Sequence, residues 1–170
     1  KELQQAIFDR QLELYFEALP QSLLAVVINS SVLVWILWNG VEHNILLGWF
    51  LITLVISGFR FWDYIRFKYT AADQRSGKKL YWHMMTAVVA SGLTWGIGGY
   101  LLFVPDAIVY QVMLAFIIAG LSAGSIVNLS SFLETSQSFL LLVLLPVIIR
   151  LFQEGSFETF QMGLLASLFL

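Results

Sequence analysis

The chain contains no cysteine. A disulfide framework, a thiolate metal site and a cysteine nucleophile are therefore excluded, and no redox compartment can be read from it. Charge is almost as scarce, at 12% of 170 residues, where an ordinary soluble domain carries about 25%. With 59% hydrophobic residues and a mean hydropathy of +0.81, a soluble globule is excluded. Disorder is excluded as well, because disordered chains combine low hydrophobicity with high net charge and the formal charge here is only −2. Nor is there a basic surface of the kind that would hold nucleic acid. The first stretch, KELQQAIFDRQLELYFEALP, is too charged for a secretory signal peptide and has no small-residue cleavage site.

What the chain does have is long apolar runs, and a membrane crossing needs about 20 such residues. Runs bounded by charge, Pro or Gly predict transmembrane helices over 19–38, 45–62, 80–103, 108–130, 136–152 and 159–170. The last stops at Leu170, too short for ~30 Å of hydrocarbon at ~1.5 Å per residue, so a continuation of the chain beyond the sixth span is expected. Residues 1–18 place Phe8, Leu12, Tyr15, Phe16 and Leu19 on one helical face, with Glu2, Asp9, Glu13 and Glu17 largely off it. An amphipathic interfacial helix is expected there, turning into the first span at Pro20; the alternative is a helix packed on a cytoplasmic domain. The expected fold is all-α: a polytopic membrane bundle of six transmembrane helices, the sixth truncated.

Six of the nine basic residues, Arg60, Arg66, Lys68, Arg75, Lys78 and Lys79, fall between the second and third spans. The positive-inside tendency makes that segment cytoplasmic, together with the N-terminal segment and the continuation beyond the sixth span. The opposite loops, NGVEHN, VPDA and QEGSFE, contain acids and no Lys or Arg. They are also too short to fold into an extracytoplasmic ligand-binding domain. A stimulus must reach a pocket among the helices, act at the acidic outer mouth, or come from the bilayer.

Polar groups inside spans are candidates for function, because hydrocarbon offers them no water. Asn29, Ser30, Trp95, Asn128 and Arg150 are the candidates for lining a ligand pocket, the ligand being a small apolar or anionic molecule. For Asn29, Ser30 and Asn128, with Ser31, Ser122 and Ser125 nearby, the competing use is interhelical hydrogen bonding. Arg150 either anchors an anion or snorkels to the interface beside Glu154. Pro146, four residues earlier, removes the bond to the Leu142 carbonyl. Gly92 and Gly96 in the third span, and Gly120 and Gly124 in the fourth, form two GxxxG pairs. Only VPDA separates these spans, so their small surfaces are expected to meet; a symmetric homodimer contact is the second reading. His43 and His83 fall on opposite sides of the membrane, so no metal site, cofactor site or catalytic set is expected within these residues. The lipid bilayer is the first expected partner.

With these residues set out, the stretch from Arg60 to Gly163 resembles the six-helix N-terminal membrane region of many bacterial signalling proteins. The features that match are the basic loop, SGLTWGIGGYLLF (91–103), PDAIVYQVMLAFIIAGLSAGS (105–125), and the Pro146-containing fifth span with an outer loop and a sixth apolar run after it. In that family a GGDEF diguanylate cyclase, an EAL phosphodiesterase or a histidine kinase region comes next. The resemblance implies an input module in the bacterial inner membrane that controls cyclic-di-GMP synthesis or turnover, or histidine kinase output, and works as a homodimer. The rival class is a small-solute transporter or channel subunit, which would need broken helices or midplane charges along a substrate route.

Overall fold

The computed structural model describes residues 2–70, 77–129 and 132–170. Among the described residues the chain is helical, as α1 (Glu2–Leu37), α2 (His43–Tyr69), α3 (Gly77–Leu101), α4 (Ile108–Leu129), α5 (Leu133–Glu154) and α6 (Phe157–Phe169). Arg75, Ser130 and Ser131 lie outside the described residues. The first five helices contain segments long and apolar enough to cross a membrane. The sixth has 13 residues, about 20 Å of helix, which is less than the ~30 Å of a hydrocarbon core.

Three departures from the boundaries expected of the sequence bear on the packing. Pro20 lies inside α1, not at a turn, and the segment before it continues the first span as one 36-residue helix of about 54 Å. Proline forfeits one backbone bond, to the carbonyl of Phe16, and the helix runs through because neighbouring helices hold its apolar face on both sides of that position. Leu12, Tyr15, Phe16 and Leu19 are all buried. The Phe16 ring stacks on Phe67 of α2 at 4.3 Å, and Phe8 packs with Tyr81 of α3 and Phe132 before α5. The second departure is in α2, which continues to Tyr69, and Arg60, counted with the basic loop above, is buried inside the bundle. Third, α5 begins at Leu133, earlier than the apolar run, because Thr135 and Ser136 are buried helical residues.

α3 packs most extensively on α5, and these two helices form the centre. α2 and α1 cover one side of them, α4 bridges α1 and α5, and α6 lies on α5. The core is largely apolar, with Trp95, Leu33, Leu37, Leu102, Leu114 and Val143 all but fully buried and a few polar side chains among them. So is the exterior: Trp35 and Phe116 are each 79% exposed. An apolar surface over an apolar core is what hydrocarbon solvates and water does not, so the bundle fits a membrane environment.

Close helix contacts on α3 depend on glycine. A Cβ at Gly96 would collide with the Leu142 carbonyl of α5, and one at Gly98 with the Trp49 indole of α2. That indole donates to the Thr94 carbonyl at 2.9 Å and meets Trp95 edge-on at 5.0 Å, tying α2 to α3.

Candidate functional site

On α2, Trp49, Thr53, Ser57 and Arg60 recur at helical spacing and all are buried. The two hydroxyls bond back to their own helix, Thr53 to the Trp49 carbonyl at 3.0 Å and Ser57 to the Thr53 carbonyl at 2.8 Å. Arg60 has no such outlet. It is 6% exposed, and its guanidinium reaches away from α2: Nη2 donates to the Tyr15 hydroxyl of α1 at 3.2 Å and Nη1 to the Ser91 hydroxyl of α3 at 3.4 Å. Its buried Nε has no hydrogen-bond partner. Among the described residues no carboxylate comes within 4.0 Å of it, although Asp63 lies one turn along the same helix and shares a small adjoining gap.

Arg60 borders a cavity of about 80 Å³ between α1, α3 and α4, with Phe139 of α5 closing one side. Asn29 of α1, Trp95 of α3 and Asn128 of α4 all line it, as do the hydroxyl residues Ser22, Ser91 and Ser125. The walls are therefore mixed: one cation, two amides and several hydroxyls set among Leu19, Val26 and Leu121. Where the cavity meets the outside of the bundle, the rim is small. Ala25 of α1 and Gly120 and Gly124 of α4 are exposed, and a Cβ at either glycine would meet nothing within 4 Å. The mouth thus opens sideways between α1 and α4, toward the surrounding hydrocarbon.

The remaining sequence candidates lie elsewhere. Ser30 is fully buried on α1, does not line the cavity, and donates to the Val27 carbonyl at 3.0 Å. Arg150 sits at the far end of α5, where it pairs with Glu154 at 3.5 Å and lies 4.5 Å over the Phe103 ring. Glu154 in turn accepts from the Asp106 backbone N–H at 2.7 Å and from Gln111 Nε2 at 3.2 Å. These contacts fasten the α3–α4 connection to the end of α5, and hold Asp106 at its left-handed φ of 55°. The short connection predicts that the glycines of the third and fourth spans meet each other. Instead Gly92 and Gly96 face Leu142, Phe139 and Pro146 of α5, while Gly120 and Gly124 border the cavity. α3 and α4 touch only slightly because α5 lies between most of their length.

Sequence reasoning missed Arg60 and Tyr15 as site residues. Arg60 counts there as a loop cation, yet Thr53, Ser57 and Arg60 share one face of an otherwise apolar run, which is the available signal. A second hollow of about 330 Å³, among α4, α5 and α6, is walled by aliphatic and aromatic side chains such as Phe116 and Leu165 and has no polar group to orient a ligand. Among the described residues no group of three His, Asp or Glu side chains is gathered as a metal site would need. No protein-family model, curated protein or solved structure matches the chain.

Proposed function

We propose that the chain is a membrane-embedded sensory input module that anchors and controls a C-terminal cytoplasmic signalling region, of the cyclic-di-GMP or histidine kinase kind implied by the resemblance of 60–163. The observation that carries this reading is the cavity at Arg60, a space of about 80 Å³ among the helices in which one cation, two amides and several hydroxyls stand among apolar side chains. A ligand there touches α1, α2, α3 and α4 together, so it favours one packing of these helices over another. Control requires only that its affinity differ between the two packings.

In this reading the module sits in a bacterial inner membrane with six crossings, the sixth completed beyond Leu170. Arg66 and Lys68 in the last turn of α2 and Lys79 near the start of α3 mark the cytoplasmic end. The exposed apolar helix faces include a homodimer surface that brings two output regions together. Transport is the weaker reading, because Leu33, Trp49 and Leu102 are buried toward the outer end from the cavity, where a substrate would have to pass.

Reading the gene onward from the codon for Leu170 tests the proposal. A completed span and a helical linker into a soluble catalytic region are expected; a stop codon, or a run of further spans, would overturn it.

A further inference from the structure

The charge on Arg60 is poorly compensated for its location. A guanidinium buried to this degree is ordinarily matched by an anion, since an isolated charge away from water is costly. Here its two protein partners, Tyr15 and Ser91, are neutral hydroxyls. Of five N–H donors on a guanidinium, those two bonds use one on each Nη. Three N–H donors remain, the Nε–H and one on each Nη, and a planar guanidinium presents its donors in pairs that a carboxylate accepts with two oxygens. The buried Nε has no hydrogen-bond partner within the protein.

Size and position narrow the occupant further. A water takes ~10–15 Å³ of cavity measured this way, so about 80 Å³ holds a head group of a few heavy atoms and no intact phospholipid. One cation with neutral amides and hydroxyls around it balances a monoanion; a phosphate dianion would leave a net negative charge among apolar helices. Arg60 lies 17 residues along α2 from His43, about 25 Å from that end, and so sits toward the end of the bundle that bears Arg66 and Lys68. Asn29 and Trp95 lie nearer the other end, so the cavity runs from Arg60 toward the middle of the bundle. Its mouth at Ala25, Gly120 and Gly124 opens on hydrocarbon.

We propose that this cavity binds a single-chain monocarboxylate amphiphile of the fatty-acid class, its carboxylate on the Arg60 guanidinium and its chain leaving between α1 and α4 across Gly120 and Gly124. Asn128 supplies an amide donor to the head group. The ligand enters sideways from the leaflet next to the basic end of the bundle and needs no aqueous path. Its meaning as a signal rests on the input-module reading, whereas binding itself rests on the cavity.

The test is equilibrium binding of radiolabelled palmitate to the purified chain in nanodiscs, with hexadecanol, acetate and inorganic phosphate as competitors. One saturable site per chain is expected, with affinity falling by about tenfold or more in Arg60→Gln, as loss of a charge-assisted fork requires. Gly120→Leu, at an exposed position where a Cβ meets nothing within 4 Å, is expected to block the mouth and weaken palmitate by a similar factor while leaving the unfolding midpoint in place. It keeps the test open if Arg60→Gln fails to fold. Hexadecanol is expected to compete poorly, because it lacks the charge, and acetate because it lacks the chain. Palmitate binding unchanged in Gly120→Leu, equal competition by hexadecanol, or competition by acetate or phosphate as strong as by palmitate itself would each overturn the proposal. Failure here leaves the reading of the gene beyond Leu170 untouched, and a stop codon there leaves the binding result untouched, so the two claims fail separately.

Discussion

Gly96 of α3 rests against the backbone carbonyl of Leu142 in α5, with Pro146 Cγ 3.1 Å from where a Cβ on Gly96 would stand. That carbonyl is the one whose helical donor is missing, because residue 146 is proline and has no N–H to give. The absent side chain on α3 and the absent donor on α5 therefore meet at one point. The glycine Cα–H groups face an oxygen that would otherwise be bare in hydrocarbon, a weak but usable contact.

Gly96→Ala forces either this oxygen or the helix to move, and is expected to lower the stability of the bundle by about 1–3 kcal/mol, the usual size of an overpacking penalty. Gly124→Ala, in the other GxxxG pair, meets nothing within 4 Å and is expected to leave stability unchanged or slightly raised, as alanine favours a helix. Unfolding midpoints of the two variants in a mild detergent, titrated with a denaturing one, compare them directly. Equal losses would mean that α3 and α5 are not in close contact at Gly96.

Glu154 holds three partners at the other end of the bundle, Arg150, Gln111 and the Asp106 N–H. Glu154→Gln keeps the shape and removes the charge, leaving Arg150 over Phe103 without its anion. Because Arg150 retains some contact with the outside, at 20% side-chain exposure, the expected cost is about 1–2 kcal/mol, below that of breaking a fully buried pair. Hydrogen exchange should rise in 102–107 and stay level in α1; a uniform rise along the chain would contradict a local fastening.

Ser122 Oγ is buried and makes no hydrogen bond. Ser122→Ala removes an unsatisfied hydroxyl while the Ser125 bond to the Ser122 carbonyl, at 2.7 Å, is unaffected. An increase in stability of up to about 1 kcal/mol is expected. A loss of that size would reveal a partner for the hydroxyl.

Because α1 is one rod, spin labels at Arg10 and Ser31 should report a separation near 30 Å with a single narrow distribution, from ~1.5 Å per residue. A helix that turned along the membrane surface at Pro20 would give a much shorter, broader distance.

The five long apolar helices were legible because hydrocarbon thickness sets the length of an apolar run, and that constraint is local. The face formed by Phe8, Leu12, Tyr15, Phe16 and Leu19 was legible too, since periodicity reports that a face is covered. It does not report by what: Phe67 and Tyr81 are distant in the chain, and a lipid surface would write the same pattern. Charge misled in a different way. Counting Lys and Arg toward a loop places Arg60 outside, whereas the polar stripe through Thr53 and Ser57 continues into it and carries it inward. The two GxxxG pairs look alike in sequence and separate only when α5 comes between α3 and α4, a choice made by tertiary packing.

Control of a cytoplasmic output region by the cavity around Arg60 is open to one decisive measurement. It is the turnover rate of the full-length protein in nanodiscs, as parent and as Arg60→Gln and Gly120→Leu, each first checked for an unfolding midpoint close to the parent's. A change of about fivefold or more in the cytoplasmic reaction is expected in both variants, the scale of an ordinary coupling free energy. Rates indistinguishable from the parent in two folded variants would contradict that control.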